Sequence, residues 1–214
     1  MNKTQIVYIV DDDKRVRDAI DELLTSYGIY SISFASAVEY IEAEKLDIPS
    51  CLVLDIELPD INGLELQEQI YNSQHPSIVF ITGHGDISRS VKAMKYGAID
   101  FLTKPFSEDK FMSAIDTALT KDRHRRQKQA ELNELQRRYC NLTLREQQVL
   151  PLVVSGLLNK QAAAELGIRE VTLQLHRRNI MRKMSATTFA DLVRISEKLN
   201  IPIKHIRSIS GKRS

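Results

Sequence analysis

The 214-residue chain has no tryptophan, only two cysteines, eight glycines and six prolines. Cys51 and Cys140 are far apart and neither lies in a metal-binding or redox spacing. That excludes a disulfide framework and a thiolate zinc site, and leads us to expect a reduced, cytosolic chain. No apolar run approaches the roughly 18–20 residues of a membrane-spanning helix, so no membrane partner is expected. The first such run, Ile6 to Val10, is too short for a signal peptide and leads straight into acid. Sparse Gly and Pro, with 43% hydrophobic and 27% charged residues, describe an ordinary globular protein long enough for two small domains.

Net charge is also nearly missing, at +2, but the average hides a division. Residues 1–120 hold ten Lys/Arg against twenty Asp/Glu, and residues 121–214 hold twenty against eight. Such asymmetry implies two domains with different partners, the second polyanionic, or else two charged surfaces that attract each other.

In the acidic half, short runs rich in β-branched and aromatic residues alternate with helix-period segments. "QIVYIV", "SISFA", "CLVLDI", "SIVFITG" and "DFLTKPF" have strand length and composition. Val16, Ile20, Leu23, Leu24 and Tyr27 recur at helical spacing and stop at Gly28. "GLELQEQIY", "SRSVKAMKYG" and "SEDKFMSAIDTAL" read likewise, the last with Ser107 as a candidate cap. This pattern predicts an α/β fold, a doubly wound, flavodoxin-like, five-stranded parallel sheet covered on both faces by helices.

In such sheets the working crevice lies beyond the carboxyl ends of the strands. Asp11 and Asp12 end the first strand, Asp55 the third, Thr82 the fourth, and Lys104 follows the fifth. Convergence of these residues would make a hard-oxygen site suited to Mg²⁺, with Lys104 as a mobile positive charge and Thr82 as a hydroxyl donor. Asp13 reads as a solvated acid of the first helical turn. His84, without partners, reads as a loop residue.

"VDDD", "LDIELPDINGLEL", "ITGHGD" and "AMKYGAIDFLTKPF" resemble the receiver domain of two-component response regulators, over residues 1–120. The resemblance implies that Asp55 is the phosphoacceptor. It implies that Asp12, Asp55 and the backbone carbonyl of Glu57 hold Mg²⁺, supported by Asp11. It further implies that Lys104 pairs with the acyl phosphate, that Thr82 and Phe101 act as switch residues, and that a cognate sensor histidine kinase is the phosphodonor. Residues from about Arg89 to Phe101 would pair two phosphorylated copies into a homodimer. An aspartyl phosphohydrolase is the enzyme alternative; it usually carries a second Asp in a D-x-D pattern, where this chain has Glu57.

Residues 121–141 are polar, charged and free of Gly and Pro, with a thin stripe of Leu132, Leu135 and Tyr139, and predict a helical linker. Beyond it, Thr143 and Glu146 fit a capping box, and Pro151 should bend or shorten the helix that follows. A short helix ending at Gly167 and a longer one after it make a helix-turn-helix, a small all-α domain over residues 142–206. Leu173, His176, Ile180 and Met184 share one face of the longer helix, and Gln174, Leu175, Arg178 and Arg182 share another. The first should pack inward and the second enter a major groove. Phe189, Leu192 and Val193 of a last helix should close the core. Residues 207–214 are expected to be a disordered basic tail.

"LTLREQQVLPLVVSGLLNKQAAAELGI" and "VTLQLHRRNIMRKM" resemble the LuxR/NarL-type DNA-binding domain, so the whole chain is similar to response regulators of the FixJ/NarL type. Carried over by position, Gln174, Leu175 and Arg178 would face base edges. Lys160, Thr172, His176, Arg177 and Lys183 would be phosphate or framework residues. Gln174 stands where lysine is common and Arg169 where a capping serine is usual. The implied function is a phosphorylation-controlled transcription factor, not a conventional enzyme, that binds double-stranded promoter DNA and engages RNA polymerase. An RNA-binding antiterminator with the same receiver is the third reading, against which the helix-turn-helix pattern stands.

Overall fold

The computed structural model describes residues 4–70, 75–83 and 87–202, without the side chains of 87–89. His84, the Arg89 side chain and the basic tail lie outside the described residues. The chain divides into two compact units, Met1–Gln127 and Lys128–Ser214.

Five strands, β1 (Ile6–Val10), β2 (Tyr30–Phe34), β3 (Ser50–Asp55), β4 (Ser77–Thr82) and β5 (Asp100–Thr103), pair in parallel in the order β2-β1-β3-β4-β5. The reversal of direction falls between β1 and β3, which is where a doubly wound sheet opens its crevice. Val10 lies opposite Leu54, Asp55 opposite Ile81, and Thr82 opposite Thr103, so the strand ends carrying the candidate residues are level. The central strands are buried on both faces, which explains their unbroken apolar runs. Tyr8, Val10, Leu52, Leu54 and Phe80 form the core on one face. Val7, Ile9, Val53, Val79 and Ile81 form it on the other, against Ile20, Leu24, Phe111 and Ile115.

The helices of this unit are α1 (Lys14–Ser26), α2 (Ala37–Glu42), α3 (Gly63–Ile70), α4 (Ile87–Lys95) and the start of α5 (Glu108–Cys140). The six residues of α2 are too few for helical periodicity to register in the sequence. Ser36 caps it by accepting from the Glu39 amide at 3.1 Å. Asp13 is not a first-turn acid, as expected, but the N-cap of α1; its carboxylate accepts from the Arg15 amide at 2.9 Å.

The helix α5 runs through most of the polar segment expected to be helical. Its Asp122 is fully buried and accepts from the Ser50 amide at 2.9 Å, at the start of β3. Arg126 pairs with the same carboxylate at 2.7 Å, so the buried charge is compensated. Cys51 and Cys140 are free thiols. Among the described residues no helix is long and apolar enough to cross a membrane.

In the second unit α6 (Leu144–Val154), α7 (Asn159–Glu165), α8 (Glu170–Lys183) and α9 (Phe189–Lys198) surround Val149, Leu150, Leu173, Ile180, Met184 and Leu192. The capping box of Thr143 and Glu146 is formed in both directions. Pro151 lies within α6, which closes three residues later, where the Ser155 hydroxyl donates to the Pro151 carbonyl at 2.6 Å. Gly167, at φ +62°, makes the turn between α7 and α8 in a conformation that L side chains rarely adopt. Phe189 does not join the core as expected: it is 39% exposed, and the Arg177 guanidinium stacks over its ring at 5.1 Å.

Glu146 is buried and pairs with Lys183 at 2.7 Å. Burial alone would raise its pKa, but Lys183 and the Thr143 amide hold it below its ordinary value of 4.5. A depressed pKa means stability that is present above pH 4.5 and is lost as pH falls through the folded-state value. Glu146→Ala should cost about 2–3 kcal/mol at neutral pH, from a lost cap and a broken buried pair. Calorimetric melts of parent and variant should converge as the pH is lowered below that window.

Candidate functional site

The β1–α1 connection is built by hydrogen bonds from its own acids. Asp11 is fully buried, and its Oδ1 accepts from the Asp13 amide at 2.9 Å. The Arg17 guanidinium donates to the carbonyls of Asp11, at 2.7 Å, and Asp12, at 2.9 Å. Arg17 was missed in the sequence, since its contacts are with backbone atoms that no motif displays. Its position one turn into the helix is the only signal.

The β3–α3 connection carries Asp55, which is 4% exposed. Its Oδ2 accepts from the Glu57 amide at 3.1 Å. Gly63 was also missed. A Cβ there would lie 2.3 Å from the Asp55 carbonyl oxygen, so α3 can start against the acid-bearing strand only because position 63 has no side chain. The isolated glycine in "DINGLEL" was the available sign. Asp60, in the same connection, accepts from the amides of Ala37, at 3.3 Å, and Val38, at 2.9 Å, and so ties the start of α2 to the loop.

Lys104 joins the two acidic segments. Its Nζ lies 2.6 Å from Asp11 Oδ2 and 3.1 Å from Asp55 Oδ1, and its amide donates to the Thr82 carbonyl at 2.7 Å. Burial opposes the ammonium charge, but Asp11 and Asp55 outweigh it and raise the Lys104 pKa. Burial raises the Asp55 pKa, Lys104 pulls it down, and the Asp11 charge pushes it up again, leaving it above the ordinary carboxylate value.

One oxygen each of Asp11, Asp12 and Asp55 lies within 4.8 Å of the other two. The donors are all hard carboxylates, and Asp12 is exposed, so the cluster opens to solvent. This set fits a divalent cation such as Mg²⁺, which takes one or two carboxylates and keeps several waters. Glu57 is exposed, Thr82 is buried at the end of β4, and Phe101 is half-buried with its ring 6.4 Å from Phe80.

On α8, Leu173, Ile180 and Met184 are buried, while His176 is half-buried. Gln174, Leu175, Arg178 and Arg182 are exposed together on the opposite face. Two of the basic residues are engaged inside the unit: Arg177 with Asn159 at 3.1 Å, and Lys183 with Glu146. Lys160 is exposed and Thr172 half-buried. Arg169 precedes α8 with no side-chain cap bond, as its replacement of serine leads one to expect.

Residues 7–116 match the family described as the response regulator receiver domain, and residues 140–201 match the bacterial regulatory proteins of the luxR family. A receiver followed by such a domain is the plan of a two-component response regulator that acts as a transcription factor. Nodulation protein W of Bradyrhizobium diazoefficiens is 44% identical over 94% of this chain and 88% of its own. Response regulator protein TodT of Pseudomonas putida is 42% identical over 92% and 88%. The solved response regulator StyR is 45% identical, covers 91% of this chain and 99% of its own, and superposes with a TM-score of 0.82. The chain belongs to the response regulators that carry a receiver and a LuxR-type helix-turn-helix, the FixJ, TodT and NodW family. It is a regulator and not a conventional enzyme, which sets aside the phosphohydrolase and antiterminator readings. The receiver implies a histidine kinase partner, the LuxR-type domain implies DNA binding, and the acidic triad is typical of a Mg²⁺ site.

Gly63→Ala should force the β3–α3 connection to shift and lower stability by about 1–3 kcal/mol. Gly83→Ala has open space around it and should melt with the parent. Thermal melts followed by circular dichroism compare the two, and a Gly63→Ala melt equal to the parent's would contradict the close approach.

Proposed function

We propose that Asp55 is the phosphoacceptor and that its phosphorylation controls promoter binding by α8. The observation that carries this reading is the Lys104 ammonium, held between the buried carboxylates of Asp11 and Asp55 at the carboxyl edge of the sheet. In the reading, an Asp55 oxygen attacks the phosphorus of a kinase phosphohistidine, the P–N bond breaks, and an aspartyl phosphate remains. Asp11, Asp12, Asp55 and the Glu57 carbonyl would hold Mg²⁺, which would supply positive charge against the phosphoryl oxygens. Lys104 turns from Asp55 to a phosphoryl oxygen, and the Thr82 hydroxyl donates to another. The half-buried Phe101, packed beside Phe80, follows Thr82 and carries the change to the outside of the sheet.

The α4–β5 surface exposes Val91, Met94 and Tyr96, an apolar set that supports pairing of two phosphorylated copies there. Residues 1–120 form the receiver, 121–141 the helical linker, 142–206 the DNA-binding domain and 207–214 the basic tail. The protein acts in the cytoplasm, where promoter DNA and RNA polymerase are at hand. Gln174, Leu175 and Arg178 face base edges; Arg182, Lys160 and Thr172 approach the backbone. His176, Arg177 and Lys183 hold the helix, a division supported by the partners of Arg177 and Lys183 within the unit.

Asp55→Asn should abolish labelling by a small phosphodonor in the presence of Mg²⁺, and with it phosphate-dependent dimerisation. Labelling at the parent rate would overturn the assignment. Arg178→Ala should weaken binding to a preferred site by about 1–3 kcal/mol if Arg178 reads guanine. Equal loss on all sequences, measured by competition binding, would make Arg178 a phosphate contact.

A further inference from the structure

The outward face of α8 is not wholly polar. Val171 is 75% exposed and Leu175, one turn along, is 54% exposed. Gln174, Leu175, Arg178 and Arg182 lie three, four, seven and eleven positions beyond Val171, so Val171 shares their face. It is nevertheless absent from the positions that resemblance to the family places at base edges.

Neither apolar side chain serves the fold. Both point away from the core that Leu173, Ile180 and Met184 enter. A β-branched residue in the first turns of a helix is also less favourable there than alanine. The charges around them say what covers this face. Among the described residues Arg178 and Arg182 have no ion-pair partner, whereas Arg177 and Lys183 are engaged elsewhere. An apolar pair on the same face as two guanidinium groups without ion-pair partners suits a polyanion that offers an apolar feature. In the major groove that feature is the C5-methyl group of thymine.

We propose that Val171, together with Leu175, reads thymine through its methyl group. This rests on the reading of α8 as the recognition helix and adds a specificity-determining residue to it. Val171 has no hydrogen-bonding group, so it distinguishes bases only by contact with that methyl. Gln174 and Arg178, on the same face, supply donors for neighbouring base pairs.

The test uses the full-length chain, phosphorylated by a small phosphodonor with Mg²⁺, and a duplex enriched by it from a random-sequence pool. Each thymine of the enriched site is replaced in turn by deoxyuridine, which removes only the methyl group. At one thymine per half-site the replacement should weaken the parent about fourfold, the value of one buried CH₂-sized group. Val171→Ala should bind the thymine and deoxyuridine duplexes equally there, and Leu175→Ala should lose the same discrimination at an adjacent thymine. Thermal melts of the exposed-site variants should match the parent's. Methyl-independent binding by the parent, or a Val171→Ala ratio equal to the parent's, overturns the proposal while leaving α8 as the recognition helix. Failure to enrich any sequence overturns both. A Val171→Ala variant that loses self-association without DNA marks the face as a contact between copies and also overturns it.

Discussion

A single ammonium group makes the rest of the receiver possible. Two carboxylates, Asp11 just after β1 and Asp55 at the end of β3, are buried beside each other, and a buried charge is costly without a partner. Lys104 lies within hydrogen-bond distance of both and supplies the compensating charge. Three segments distant in sequence are thereby held at one sheet edge. Because Lys104 is part-exposed while the acids are not, it is the member of the cluster with room to move. In the proposed reading, an incoming phosphoryl group competes for a cation that the site already contains.

Backbone packing sets the precision of that cluster. The register of β1, β3 and β4 brings the strand ends level, Gly63 lets α3 begin against Asp55, and Arg17 pins the carbonyls of Asp11 and Asp12. At the opposite end of β3, Asp122 of α5 accepts the Ser50 amide. The strand bearing Asp55 is thus fixed at both ends by polar contacts that lie outside the acidic motif.

Much of this was legible in the chain. Continuous apolar runs announced a two-sided sheet, and acids at two run ends, with Thr82 and Lys104 at two others, announced the crevice, because burial and strand polarity act locally on sequence. The capping box at Thr143 was legible for the same reason. What escaped were features set by tertiary contact. The helix α2 is too short to show a period, Asp13 proved to be a cap, and Arg17 works through backbone carbonyls. Phe189, apolar at a core-like spacing, lies under a guanidinium at the surface instead of in the core. On α8 the spacing displayed the inward and outward faces, but not that Arg177 and Lys183 are tied to neighbours while Arg178 and Arg182 stay open.

If Asp11, Asp12 and Asp55 hold one divalent cation beside Lys104, amide-resolved NMR during a Mg²⁺ titration detects it. Saturable shifts confined to residues around Asp11 to Asp13, Asp55 to Glu57 and Lys104, and abolished in Asp12→Asn, are the expected result. Shifts centred elsewhere on the chain, or unchanged by that substitution, would contradict it.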